Sequence, residues 1–99
     1  MGSNVARVVA FNLGYLPGGD KAVTTATPST LGAVEAALEV VASGGVVSIL
    51  AYTGHPGGLE EYDAVKQLIA QLPPAYWVVM EHRLLNRPKA PILLLAWRR

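Results

Sequence analysis

A chain of 99 residues, 52% hydrophobic and 15% charged, has the length of one small domain and a composition that excludes disorder. It has no cysteine, which excludes disulfides and thiolate metal sites, and its two histidines, His55 and His82, are too few for a metal site without carboxylate help. The net charge of +1 hides an uneven layout, −4 through Glu81 and +5 from His82 onward, so the tail reads either as a phosphate-facing segment or as a solvated loop and frayed end.

Taken in chain order, residues 5–11 form a nearly continuous apolar run, the pattern of a strand buried on both faces. The stretch FNLGYLPGGDK follows, with too many glycines and polar residues for a casual turn. Thr27-Pro28 reads as a helix start, with Thr at the cap and Pro at the first position. Leu31, Val34, Leu38 and Val41 make one stripe of that helix, Glu35 and Glu39 lie off it, and Ser43-Gly44-Gly45 stops it. Val46 to Ala51 is the second strand, and YTGHPGG is a second glycine-rich loop. A second helix is predicted over 59–72, with Glu60, Glu61 and Asp63 in its first turns, where the helix dipole favours negative charge. Tyr62, Val65, Leu68, Ile69 and Leu72 form its buried stripe, and Pro73-Pro74 ends it. Tyr76 to Met80 is a third strand with room to extend to Leu85, residues 86–89 are a turn, and Ile92 to Trp97 is a fourth strand.

The order is β-α-β-α-β-β over a single domain, residues 1–99. Strands joined through helices run parallel with right-handed crossovers, and the last two, joined by a turn, run antiparallel. The expected fold class is therefore α/β, a mostly parallel sheet with an antiparallel C-terminal strand. In such sheets ligands bind at the carboxyl ends of the strands. Loops 12–21 and 52–58 are thus expected side by side over one cleft, with glycines letting backbone approach a ligand. No apolar run reaches the ~20 residues of a membrane span, and the opening MGSNVARV has no signal-peptide pattern. The expectation is a soluble, cytoplasmic protein with no membrane partner.

FNLGYLPGGDKAVTT, the helix-opening TL, and GGVVSILAYTGHPGGLEEYDAV together resemble the MnmM/YtqB-like family, once labelled rRNA methylases. Nearly the whole chain takes part in the resemblance. It implies a partial Rossmann-like class I methyltransferase fold, its C-terminal half, using S-adenosylmethionine. It also implies the family's activity, methylation of the aminomethyl group on wobble uridine, giving 5-methylaminomethyl-(2-thio)uridine, with the tRNA anticodon region as partner. A complete member is about twice as long. The glycine-rich cofactor loop and the acidic residue that hold the methionine and ribose portions of the cofactor have no counterpart here. The glycines at 14, 18 and 19 do not match a dinucleotide fingerprint, and Gly-Gly-Asp-Lys is not a P-loop. The resemblance leaves open a truncated, non-catalytic α/β fragment that binds or assembles but holds no cofactor alone.

Methyl transfer to an amine is an in-line displacement in which the protein positions the reactants and removes a proton. Asn12 stands where the superfamily commonly keeps the polar residue that accepts a hydrogen bond from the amine; the alternative is a turn-forming Asn. Asp20 either meets the substrate ammonium or caps a turn. His55, in a glycine-rich loop rather than on an apolar face, is read as a base or an RNA contact. Asn12, Leu13 and Gly14 are assigned toward the cofactor. Tyr15, Leu16, Pro17, Gly18, Gly19, Lys21, Tyr52, Gly57 and Gly58 are assigned toward the substrate, Tyr15 and Leu16 as a wall for the base. Lys21 is a phosphate contact or a solvated lysine, and Gly57-Gly58 can offer backbone N–H groups to an anion. His82 is read as structural. A first strand without its neighbour in the full fold leaves an apolar edge, so the chain is expected to self-associate through residues 5–11, or to pair with a complementing N-terminal half.

Overall fold

The predicted alternation takes the form β1 (Ala6–Leu13), α1 (Thr27–Val40), β2 (Val41–Ala51), α2 (Gly58–Ala70), β3 (Trp77–His82) and β4 (Ile92–Arg98). The computed structural model describes residues 6–54 and 56–99 apart from 14–26. The strands form one sheet in the order β1-β2-β4-β3. β1 and β2 are parallel, and β4 runs antiparallel to both β2 and β3. β3 therefore points the same way as β1 and β2. The α/β class with one reversed C-terminal strand is as expected, because the 83–91 connection is too short for a crossover and folds β4 back beside β3.

The two helices connect strands that step across the sheet in the same direction. Right-handed crossovers then place both on one face. Residues of successive strands alternate accordingly. Val47, Ile49 and Ala51 of β2 and Ile92, Leu94 and Ala96 of β4 are buried, and in register they share the helix-covered face with Val9, Phe11 and Leu13 of β1. From above, Val34, Ala37 and Leu38 of α1 and Tyr62, Val65 and Ile69 of α2 close the core. The burial of each large aliphatic side chain there contributes about 1.5–3 kcal/mol before the entropy of ordering is set against it.

The opposite face is not covered by any helix among the described residues, and this corrects the expectation for β1. Its apolar run is packed on one side only, through Val9, Phe11 and Leu13, whereas Arg7, Val8, Ala10 and Asn12 are exposed, Val8 to 64%. A continuous apolar run cannot by itself distinguish burial on two faces from burial on one. β1 is also the edge strand of the described sheet.

The second correction concerns Ser43-Gly44-Gly45. The helix ends before it, at Val40, and these residues lie inside β2. There the pairing with β1 slips: Ala6 faces Val41, yet Val8 faces Val46. Gly44 takes φ 83° to make the irregularity. At Gly45 a Cβ would lie 2.8 Å from the Arg7 carbonyl oxygen and 2.7 Å from Val41 Cγ2, so only glycine lets β1 approach.

A third correction concerns α2. Glu60 and Asp63 face solvent, as helix-dipole reasoning expects, but Glu61 is 4% exposed. The Thr30 hydroxyl, itself 2% exposed, donates to Glu61 Oε2 at 2.5 Å and ties α1 to α2. A buried polar group needs such a partner.

Candidate functional site at the carboxyl rim

The carboxyl ends of β1, β2 and β3 lie on one rim of the sheet, and the register sets what each brings there. Asn12 faces Leu50 and Leu13 faces Ala51. The Tyr52 backbone N–H then donates to the Leu13 carbonyl at 3.1 Å. Loops 12–21 and 52–58 therefore leave adjacent parallel strands at the same rim. Asn12 is exposed at the end of β1 on the open face. Tyr52 and Thr53 are half-buried beside it.

Of the residues assigned to the site, Gly14, Tyr15, Leu16, Pro17, Gly18, Gly19, Asp20, Lys21 and His55 lie outside the described residues. Leu13 is 7% exposed, so its side chain belongs to the core. Gly57 has φ 83° and precedes α2 as its cap, the left-handed conformation glycine adopts without strain. Its carbonyl accepts the Glu61 N–H at 3.0 Å. Gly58 is buried under the first turn, where Glu60 and Glu61 add negative charge that opposes an anion.

Counting along the paired strands, the last row on the open face is Asn12, Leu50, Leu93 and His82. His82, read from sequence as structural, is exposed and ends β3 at this rim. Beside it lies a cavity of about 580 Å³ lined by Glu81, His82, Arg83, Leu84, Leu85, Pro91 and Leu93. Sequence reasoning missed this feature; its one trace was the change in charge after Glu81.

Two of the cavity's lining residues, Glu81 and Arg83, belong to a charged cluster. The Tyr62 hydroxyl of α2 donates to Glu81 Oε2 of β3. Lys66, one turn along α2, approaches the same oxygen at 3.3 Å, and Arg83 Nε faces Glu81 Oε1 at 3.4 Å. An Arg83 terminal nitrogen donates to the Tyr62 hydroxyl at 2.8 Å, with the guanidinium 6.0 Å from the ring centroid. The Tyr62 hydrogen bond holds the Glu81 carboxyl below its ordinary value; burial opposes this, and Lys66 and Arg83 add to it. Lys66 is raised, chiefly by its hydrogen bond to Tyr62 and then by the one to Glu81.

The basic tail does not form one patch. Arg83 and the exposed Arg87 and Lys89 sit at the carboxyl rim. Arg98 lies at the other end of the sheet, its guanidinium donating to the Val41 carbonyl at 3.1 Å and lying 5.8 Å from the Trp77 ring centroid. The Arg99 N–H likewise pairs with the Tyr76 carbonyl at 2.8 Å. The reversal of β4 separates the two groups.

This half-sheet, with its exposed polar residue at the strand end, has the fold of solved methyltransferase chains. The structure matches over 100% of its length a chain titled "putative rRNA-methylase" from Clostridium thermocellum, at TM-score 0.89 and 29% identity, covering 53% of that chain. It matches equally completely a "putative methyltransferase" from Streptococcus mutans in complex with SAH, at TM-score 0.85 and 32% identity, covering 53% of that chain. A third, a rRNA methylase from Streptococcus thermophilus, aligns at TM-score 0.71 and 34% identity, with 97% of this chain and 52% of that one. The family described as "Putative rRNA methylase" matches residues 2–98, and the chain belongs to that family. Among curated proteins it is 45% identical over 93 residues to the chloroplastic tRNA (mnm(5)s(2)U34)-methyltransferase of Arabidopsis thaliana, covering 94% of this chain and 34% of that protein. The chain thus spans about a third of that relative and about half of each solved neighbour.

Proposed function

We propose that this chain forms the acceptor-side rim of an S-adenosylmethionine-dependent tRNA methyltransferase. The substrate of this reading is the aminomethyl group of a wobble uridine, and the product is 5-methylaminomethyl-(2-thio)uridine. The observation that supports it most directly is Asn12: a carboxamide exposed at the carboxyl end of β1, beside the second glycine-rich loop, in a chain 45% identical to a tRNA methyltransferase.

Asn12 fits a cofactor-facing position, since it is exposed at the rim. Leu13 fits as the floor beneath it, because its side chain is in the core and its carbonyl is taken by Tyr52. S-adenosylmethionine would supply an electrophilic methyl on a sulfonium. The chain's own part is to orient and deprotonate the amine. The Asn12 carbonyl oxygen accepts an N–H of the neutral amine and so aims its lone pair outward from the rim. Asp20 and His55, carried on the two loops that leave this rim, are assigned the substrate ammonium and its proton. The partners of this reading are the tRNA anticodon region and either a complementing N-terminal half or a second copy at the β1 edge.

In a protein that joins this chain to the rest of the family fold, Asn12→Ala is expected to lower methyl transfer to tRNA by at least about 100-fold, with circular dichroism unchanged. Turnover equal to the parent removes Asn12 from the mechanism. The second reading is a truncated, non-catalytic α/β fragment that binds or assembles but holds no cofactor alone. Joining the chain to the rest of the family fold separates the two: methyl transfer to tRNA is expected on the first reading and none on the second. Both expect no tight binding of S-adenosylmethionine to the chain alone in calorimetry, and micromolar binding would show that the rim holds the cofactor unaided.

A further inference from the structure

The cavity at the end of β3 has no role in the chemistry assigned to Asn12, yet it shares the rim with it: His82 and Leu93 of its lining are on the open face, while Glu81, opposite Leu94, is on the helix-covered one. Asn12 and His82 occupy the two ends of one cross-strand row, about 14 Å apart at three strand spacings. We propose that this cavity is a docking subsite for an unpaired nucleotide of the RNA substrate, its base against Leu84, Leu85 and Leu93 beside His82, its phosphate at Arg83. The proposal rests on the reading of the rim as a tRNA-modifying site, and adds to it the place where a neighbouring nucleotide is held.

Four observations point to this occupant. The cavity, at about 580 Å³, falls in the range of small-ligand sites, ~300–1,000 Å³. Its wall is apolar and open to a partner: Leu84 is 55% and Leu85 92% exposed, an unusual exposure that unpaired bases can cover by flat contact. Arg83 is held in place before any ligand arrives. Glu81 and Tyr62 engage its Nε and one terminal nitrogen, and a guanidinium has five N–H donors, so several remain for a phosphate. Finally, the charge is one-sided. Glu81 faces both Lys66 and Arg83, Arg87 and Lys89 follow, and no acid occurs after Glu81, which complements a polyanion.

The test is fluorescence anisotropy of a labelled anticodon stem–loop RNA with the chain, at two ionic strengths. Leu84→Ser/Leu85→Ser alters only exposed side chains and is expected to weaken binding about fivefold, the lower end of the loss per stacked base. Arg83→Gln is expected to reduce the salt dependence of log K by about 0.7, one single-strand phosphate contact, and Arg83→Lys to retain it. Thermal melts of each variant control for folding. Binding and salt slope unchanged in both variants would overturn the subsite, as would absence of RNA binding by the parent chain. Loss of self-association in the leucine variant with RNA binding intact would also overturn it and assign the surface to a second copy. Failure of the methylation reading leaves a different trace: the variants still lose RNA, while the parent, joined to the rest of the family fold, transfers no methyl group to tRNA.

Discussion

The two faces of this sheet are built from the same strands, residue by residue in alternation, and they differ in what lies on them. On the covered face Val47, Ile49, Leu94 and Ala96 are at most 1% exposed beneath α1 and α2. On the other face the residues between them, Val46, Leu50, Leu93 and Leu95, are half-buried, and Val8 and Trp97 more exposed still. A sheet with one face turned to water usually alternates apolar with polar. Here both sets are largely apolar: Ser48 sits in a middle row of the open face, and Asn12 and His82 share its last row. The open face is thus more apolar than a water-facing sheet surface usually is, with two polar residues at its carboxyl rim.

The comparison breaks most sharply at adjacent positions of β2. Ile49→Ala is expected to cost about 2–5 kcal/mol, because the cavity it leaves is closed by two helices. Leu50→Ala, one residue on and on the open face, is expected to cost about 1 kcal/mol or less. Urea unfolding of the two variants measures the difference. Equal losses would mean that the open face is packed in solution, by self-association or otherwise, and the concentration dependence of the Leu50→Ala midpoint would show which.

A smaller effect separates the helix layer from the sheet. Thr30→Val removes the hydroxyl that Glu61 accepts and leaves a buried carboxyl without it. The expected loss is about 1–3 kcal/mol, the cost of an unsatisfied buried polar group, read as a lowered denaturation midpoint. Thr30→Val/Glu61→Leu, which removes both polar groups, is expected to recover much of it. A double variant as weak as the single would assign the effect to packing rather than to the hydrogen bond.

How far the sequence foretold all this depends on whether a signal was local. The helices were legible from stripes that the structure buries, Val34 and Leu38 in α1, Tyr62, Val65 and Ile69 in α2. The strand directions followed from connection lengths, and the placing of Asn12 at a strand end from the apolar run before it; the insertion of β4 between β2 and β3 was not foretold. The single-sided packing of β1 was not legible, since Val8 and Val9 are the same residue type and only the fold decides which one a helix covers. Glu61 read as a solvated dipole partner because its hydroxyl lies thirty-one positions away. The Tyr62, Lys66, Glu81 and Arg83 cluster joins a helix, a strand and a loop, and no window of sequence contains it. The division of the basic tail likewise follows from the reversal of β4, which sends Arg83 and Arg98 to opposite rims.

That cluster carries the smallest predicted effect, one that separates the carboxyl rim from the rest of the sheet by its response to acid. Glu81 has its pKa lowered from 4.5, with the Tyr62 hydrogen bond as the largest cause. A carboxyl lowered by folding stabilises the native state fully above its unfolded value, and that contribution disappears as pH falls through the lowered folded value. Between those two values Glu81→Gln is therefore expected to flatten the acid limb of the stability curve, with little change in slope near neutrality. Tyr62→Phe deletes the largest cause and should move the Glu81 carboxyl back toward 4.5, by more than Lys66→Ala does. Carbon-detected NMR titration of the Glu81 carboxyl reads both shifts directly. If Lys66→Ala moved it further than Tyr62→Phe, the cations rather than the phenol would be what holds Glu81, and with it Arg83, in the lining of the cavity.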